Sequence, residues 1–149
     1  KPSNVVLRHG KEAVLVDFGL AGRHVRPGCA TGPYGAPEVW SGEGSAAKTL
    51  PAKADVYAFG CAAYEALTGK PLFAADSELV LITKHLAHDG FPEPLKALAR
   101  REELLPVAEL LFSTLRRDPA NRPAVPAIRA ELRRLAPGLA RLRWPLAGP

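Results

Sequence analysis

Residues Asp55 to Thr68 place the strongest constraint on what this chain can fold into. Val56, Tyr57, Ala58, Phe59, Cys61, Ala62, Ala63, Tyr64, Ala66 and Leu67 leave almost no polar face. A helix that is apolar all round is stable only inside a domain, so other segments must wrap it. Asp55 fits its N-cap and Gly69 its C′ position. Three further helical patterns supply the wrapping. Ser77 opens one through Ala87, with Leu79, Ile82 and Leu86 at steps of three and four. Pro106 fits the first turn of another, which carries Val107, Leu110, Leu111 and Leu115. Pro126 does the same for a last helix with Ile128, Leu132 and Leu135, ended by Pro137-Gly138.

Upstream, Val5-Val6-Leu7 and Ala13-Val14-Leu15-Val16 read as a small hairpin turned at Gly10. From Gly19 to Gly44 the Gly- and Pro-rich sequence reads as a long surface loop until Ala36, and such loops are usually functional. Ser41 to Pro51 reads as a small surface insertion, and Leu139 to Pro149 as a loosely docked tail or linker. The expected class is therefore mainly α: one hairpin and about four helices, with residues 1–136 forming the folded unit and 137–149 the tail.

A chain of 149 residues is long enough for one core. It contains no Met, so it is read as part of a longer protein. No apolar run approaches the ~20 residues of a spanning helix. Two cysteines, Cys29 and Cys61, make no disulfide framework and suit a reducing, cytoplasmic setting. The net charge of +5 gathers in the C-terminal third, at Arg116, Arg117, Arg122, Arg129, Arg133, Arg134, Arg141 and Arg143. No nucleic-acid reader motif accompanies it, so a solvated helix face is expected and no nucleic-acid partner.

The chemistry lies in ordered short motifs. Lys1-Pro2-Ser3-Asn4 precedes the first strand, Val16-Asp17-Phe18-Gly19 follows the second, and Ala36-Pro37-Glu38 comes next. An antiparallel hairpin returns its two ends to one edge, so Asn4 and Asp17 can serve one site, and their oxygens suit magnesium. Further on stand Lys53-Ala54-Asp55-Val56-Tyr57-Ala58-Phe59-Gly60, Thr68-Gly69-Lys70-Pro71-Leu72-Phe73 and Arg117-Asp118-Pro119-Ala120-Asn121-Arg122-Pro123. In this order they resemble the C-terminal lobe of a Ser/Thr protein kinase domain, over roughly residues 1–136.

That resemblance implies a set of roles. Asp17 would bridge Mg to the β- and γ-phosphates of ATP, Asn4 would hold a second ion, and Lys1 would neutralise the γ-phosphate. Cys29 to Glu38 would hold the peptide residue that follows the phosphorylated one, with Thr31 at its usual Thr position. Glu38 and Arg122 would form an ion pair, Asp55 would brace the catalytic loop, and Glu65 would meet basic residues before the acceptor. Lys1-Pro2 and Thr31 favour a Ser or Thr acceptor on a protein substrate. The family's catalytic Asp would lie two residues before Lys1, and the Gly-rich N-lobe is expected as a partner in cis.

Three departures from the family stand out. Ala30 replaces a Gly, and Gly35 replaces a larger apolar residue, which would loosen the peptide-docking loop. The 22 residues from Asp17 to Glu38 carry hydroxyls only at Thr31 and Tyr34, so control by phosphorylation of this segment is not expected. An active kinase is the preferred reading, with the isolated chain inactive. A pseudokinase or scaffold lobe is the alternative, and a basic nucleic-acid module a distant third.

Overall fold

The computed structural model describes residues 1–10, 12–19, 22, 30–41, 51–88 and 91–146. Strands β1 (Val5–Arg8) and β2 (Glu12–Leu15) are followed by helices α1 (Pro37–Ser41), α2 (Pro51–Thr68), α3 (Glu78–Ala87), α4 (Glu93–Ala99), α5 (Leu105–Thr114) and α6 (Val125–Leu139). The strands pair antiparallel with Val5 opposite Leu15 and Arg8 opposite Glu12. His9 and Gly10 reverse the chain at φ of 51° and 67°, left-handed values that favour glycine at the second position.

The core forms around α2. Tyr57, Cys61, Tyr64 and Leu67 pack with Leu95 and Leu98 of α4, Leu104, and Val107, Ala108 and Leu111 of α5. A smaller cluster of Val56, Leu110 and Ile128 joins α2 and α5 to α6. Gly60 sets the approach of α2 to α5. A Cβ there would stand 2.2 Å from Thr114 Oγ1 and 3.0 Å from Leu115 Cγ, closer than packed atoms come.

The helices depart from the sequence expectation where tertiary packing overrides local signals. There are six among the described residues rather than four, because the short α1 and α4 each begin around a proline and carry too few residues to show a period. Helix α2 starts at Pro51, so Asp55 lies in its second turn and is not its N-cap. Its apolar surface is not wholly buried either: Phe59 is exposed. On α3, Ser77 does cap, its Oγ accepting from Val80 N at 3.3 Å. The residues it buries are Leu81 and His85, while Leu79 is 75 % exposed.

The carboxyl end is more firmly held than expected. Helix α6 continues through Pro137 and Gly138 to Leu139 although Pro137 has no N–H to donate, and Ala140 N bonds Ala136 O at 2.9 Å at its end. Leu146 N then donates to Leu67 O at the end of α2, and the Leu146 side chain is 1 % exposed. The tail is thus docked into the core as far as Leu146. The insertion expected at 41–51 and Cys29 lie outside the described residues, apart from Ser41 and Pro51 at its ends.

Candidate active site and substrate-docking loop

At the open end of the hairpin, Val16 N donates to Asn4 O at 2.9 Å, one rung beyond the Val5–Leu15 pair. This bond brings Asn4 and the residue after Val16, Asp17, to the same edge. Asn4 closes a 3-10 turn that begins at Pro2, its N–H bonding Lys1 O at 2.9 Å. Asp17 has φ of 64°, a left-handed conformation that Asp tolerates better than most residues. Its Oδ1 accepts from Gly19 N at 3.4 Å, and its carboxylate is exposed. Lys1 is exposed as well. Hard carboxylate and amide oxygens at one edge, with a lysine close in sequence, are donor chemistry suited to Mg and phosphate.

Asp55 lies in the second turn of α2 and is exposed. Partial desolvation raises its pKa, and the amino-terminal ammonium nearby pulls in the opposite direction. Although it does not cap α2, Asp55 lies close enough to the Lys1 amino group to feel its charge. The apolar side chains of Val5, Val6, Leu7, Leu15 and Phe18 remain exposed around the same hairpin.

The segment 30–41 is fastened to the helices at Gly32, Tyr34 and Glu38 and braced internally by Trp40. Gly32 is buried against α3, where a Cβ would lie 3.1 Å from Leu81 Cδ2. Tyr34 donates its hydroxyl to Glu65 Oε2 at 2.7 Å, and burial followed by this carboxylate pushes its pKa upward. Trp40 Nε1 donates to Gly35 O at 3.1 Å. Thr31, ahead of this, is exposed. At Gly35 a Cβ would meet the Trp40 ring at 2.3 Å, so the indole occupies the space that a larger apolar residue would take.

The anchor of the segment is a buried ion pair. Arg122 Nη1 and Nη2 donate to Glu38 Oε1 and Oε2 at 2.6 and 2.8 Å. The same guanidinium bonds Lys53 O at 2.8 Å, Arg116 O at 2.7 Å and Arg117 O at 3.1 Å. All five N–H groups of Arg122 are used. Its Cζ also lies 5.0 Å from the centroid of the Tyr57 ring, within cation–π range. Lys53 Nζ returns a bond to Arg122 O.

One cluster had no signal in the sequence beyond the spacing of two histidines. Tyr57 Oη lies 2.8 Å from His85 Nδ1 and 2.8 Å from His88 Nε2. A hydroxyl has one proton, so it donates to one ring and accepts from the other. Phe73 packs edge-on to His85 at 4.9 Å between centroids. Burial, and then the neighbouring His88, hold the His85 pKa down at about 4, opposed by the backbone at Gly32. Burial likewise raises the pKa of Tyr57 and of the Cys61 thiol, leaving Cys61 protonated and unreactive.

The described residues contain no helix long and apolar enough to cross a membrane. Residues 1–131 match the protein kinase domain family. The chain is 32% identical over 151 residues to serine/threonine-protein kinase PknB of Mycolicibacterium smegmatis, covering 94% of the chain and 23% of that protein. It is 32% identical over 149 residues to PknB of Mycobacterium tuberculosis, covering 93% and 22%. To serine/threonine-protein kinase PknD of Mycobacterium tuberculosis it is 34% identical over 131 residues, covering 82% and 18%. The chain spans less than a quarter of the length of each of these relatives.

Proposed function

Because the chain belongs to the protein kinase domain family, we propose that it is the C-terminal lobe of a Ser/Thr kinase that transfers the γ-phosphoryl of ATP to a protein hydroxyl. The observation that carries this reading is the hairpin edge, where the Val16–Asn4 bond brings Asp17 to the edge held by Asn4, which follows Lys1 closely in sequence. Asp17 and Asn4 would hold Mg, and Lys1 would sit by the phosphates as a mobile point charge. Bound magnesium neutralises charge that spreads over the phosphoryl oxygens during transfer.

The chain's own residues do the positioning. Tyr34 and Glu65 tie the peptide-docking loop to α2, and the Glu38–Arg122 pair ties its far end to the helical body. Glu65 spends one oxygen on Tyr34; its other oxygen would favour basic residues ahead of the acceptor. Asp55, close enough to the Lys1 amino group to feel its charge, would brace the catalytic loop. Thr31 would stand beside the acceptor and hold it in line.

The exposed apolar side chains of the hairpin support a second lobe covering them in the whole protein. That N-lobe would complete the nucleotide cleft in cis. Without it the isolated chain would forfeit roughly 7–11 kcal/mol of orientation and be inactive. The setting proposed is cytoplasmic, with no nucleic-acid partner.

Transfer from γ-labelled ATP by the full-length parent protein, followed by phosphoamino-acid analysis, tests the reading. Label on Ser or Thr is expected, and label on Tyr alone would refute the acceptor class. A scaffold lobe would give no transfer at all.

A further inference from the structure

The last turn of α2 is finished by residues far from it in sequence. The final carbonyls of a helix have no partner within it. Here Gly69 N donates to Glu65 O at 2.7 Å and Leu146 N donates to Leu67 O at 2.6 Å, while the Thr68 hydroxyl closes back on Tyr64 O at 2.8 Å. Pro145 lies against the same end, its Cβ 3.8 Å from where a Cβ on Gly69 would stand. The segment that brings it there is held at both ends. Trp144 Nε1 donates to Leu139 O, at the close of α6, at 3.0 Å, and the Leu146 side chain is buried in the core cluster that contains Tyr64 and Leu67. Residues 140–146 thus form a strap from α6 to the foot of α2. The turn that the strap finishes also carries Glu65, whose Oε2 accepts the Tyr34 hydroxyl from the segment ahead of α1 at 2.7 Å.

We propose that Leu146 is a positioning residue for substrate docking: by capping the last turn of α2 it fixes the Glu65 carboxylate and, through Tyr34, the peptide-docking loop. The inference rests on the reading of Glu65 as the group that meets basic residues ahead of the acceptor. Helix ends open more readily than the packed middle of a helix, and an unwound last turn would carry Glu65 away from Tyr34. The attraction between Glu65 and a basic substrate side chain falls with distance, so a loosened turn weakens the hold on that side chain and leaves the reacting atoms alone. Leu146 is 1 % exposed and can touch no peptide. Its effect runs through the backbone of α2 and falls on KM more than on kcat.

The test uses the full-length parent kinase and two peptides that differ only in carrying Arg or Ala ahead of the acceptor. The first readout is the ratio of kcat/KM for the Arg peptide to that for the Ala peptide, which a general loss of activity does not move. The second is hydrogen exchange of the Gly69 amide, which reports the bond to Glu65 O. The wild type is expected to favour Arg, and Leu146→Ala to cut the ratio about fivefold, through KM, while Gly69 exchanges faster. Leu146→Val, a milder truncation, serves if the alanine variant does not fold, with a smaller change in the same direction. Ile128→Ala, in the cluster with Val56 near the start of α2, destabilises the fold without reaching the last turn and should leave the ratio unchanged. An unchanged ratio or unchanged Gly69 exchange in the Leu146 variants, or an equal fall in Ile128→Ala, overturns the proposal while sparing the kinase reading. A wild type with no preference for the Arg peptide overturns the reading of Glu65 and the proposal with it. One that phosphorylates neither peptide overturns the kinase reading as well.

Discussion

Arg122 closes on Glu38 through two parallel hydrogen bonds of 2.6 and 2.8 Å across 84 positions of sequence, with both side chains almost wholly buried. Such a pair gives net stability only if every remaining polar hydrogen finds an acceptor. Here the other three N–H groups reach the carbonyls of Lys53, Arg116 and Arg117. The pair thus joins α1, the start of α2 and the loop before α6 at one point.

Removing either partner should leave a buried charge without its counterion. Arg122→Ala and Glu38→Ala are each expected to destabilise the fold by ~3–5 kcal/mol, read by denaturant unfolding. Arg122→Lys should also fail to restore stability, since an ammonium cannot supply five directed donors. An unchanged melting temperature in any of the three would contradict the anchoring role.

Gly60→Ala is a second stability prediction. Its Cβ would fall 2.2 Å from Thr114 Oγ1, and that hydroxyl is already committed to Leu111 O at 2.7 Å. Helices α2 and α5 must separate, at a cost of about 1–3 kcal/mol. Thermal denaturation of the variant against the wild type reads the effect, since Gly→Ala at an unobstructed helix position would instead stabilise by about 1 kcal/mol.

The His85 pair predicts a pH dependence of defined sign. The folded pKa, about 4, lies below the ordinary 6.5, so below pH 6.5 the unfolded chain takes up a proton that the folded chain refuses. Stability from this group is fully present above pH 6.5 and is lost as pH falls toward 4, by about 3 kcal/mol in all. His85→Gln should flatten that part of the stability profile. Unfolding free energies measured from pH 7 to 4 in both proteins provide the check, and parallel curves would contradict it.

The parts of the fold legible in the sequence were those carried by contiguous chemistry. The hairpin, Ser77 as an N-cap and the helix around Val56 to Leu67 follow from local pattern, and the family motifs named Glu38 and Arg122 as partners. What escaped was decided by contacts distant in sequence. Asp55 looks like a cap because an apolar run begins after it, yet Pro51 starts the helix one turn earlier. Leu79 fits a helical stripe, but the face of α3 that meets the core is set by Leu81 and His85. Leu146 follows two prolines and a short tail, and only its bond to Leu67 O shows that it belongs to the core. Gly35 reads as a missing side chain until Trp40 is seen to occupy its place.

In the proposed site Asp17, at the hairpin edge with Asn4, holds the metal through which a Ser/Thr kinase would work. Its most direct test is the magnesium dependence of phosphoryl transfer by the full-length parent, wild type against Asp17→Asn. Mg-dependent transfer is expected in the wild type, with a loss of about a thousandfold in the variant, the scale seen when a principal electrostatic stabiliser is removed. Equal turnover in the two proteins, with both folded, would contradict it.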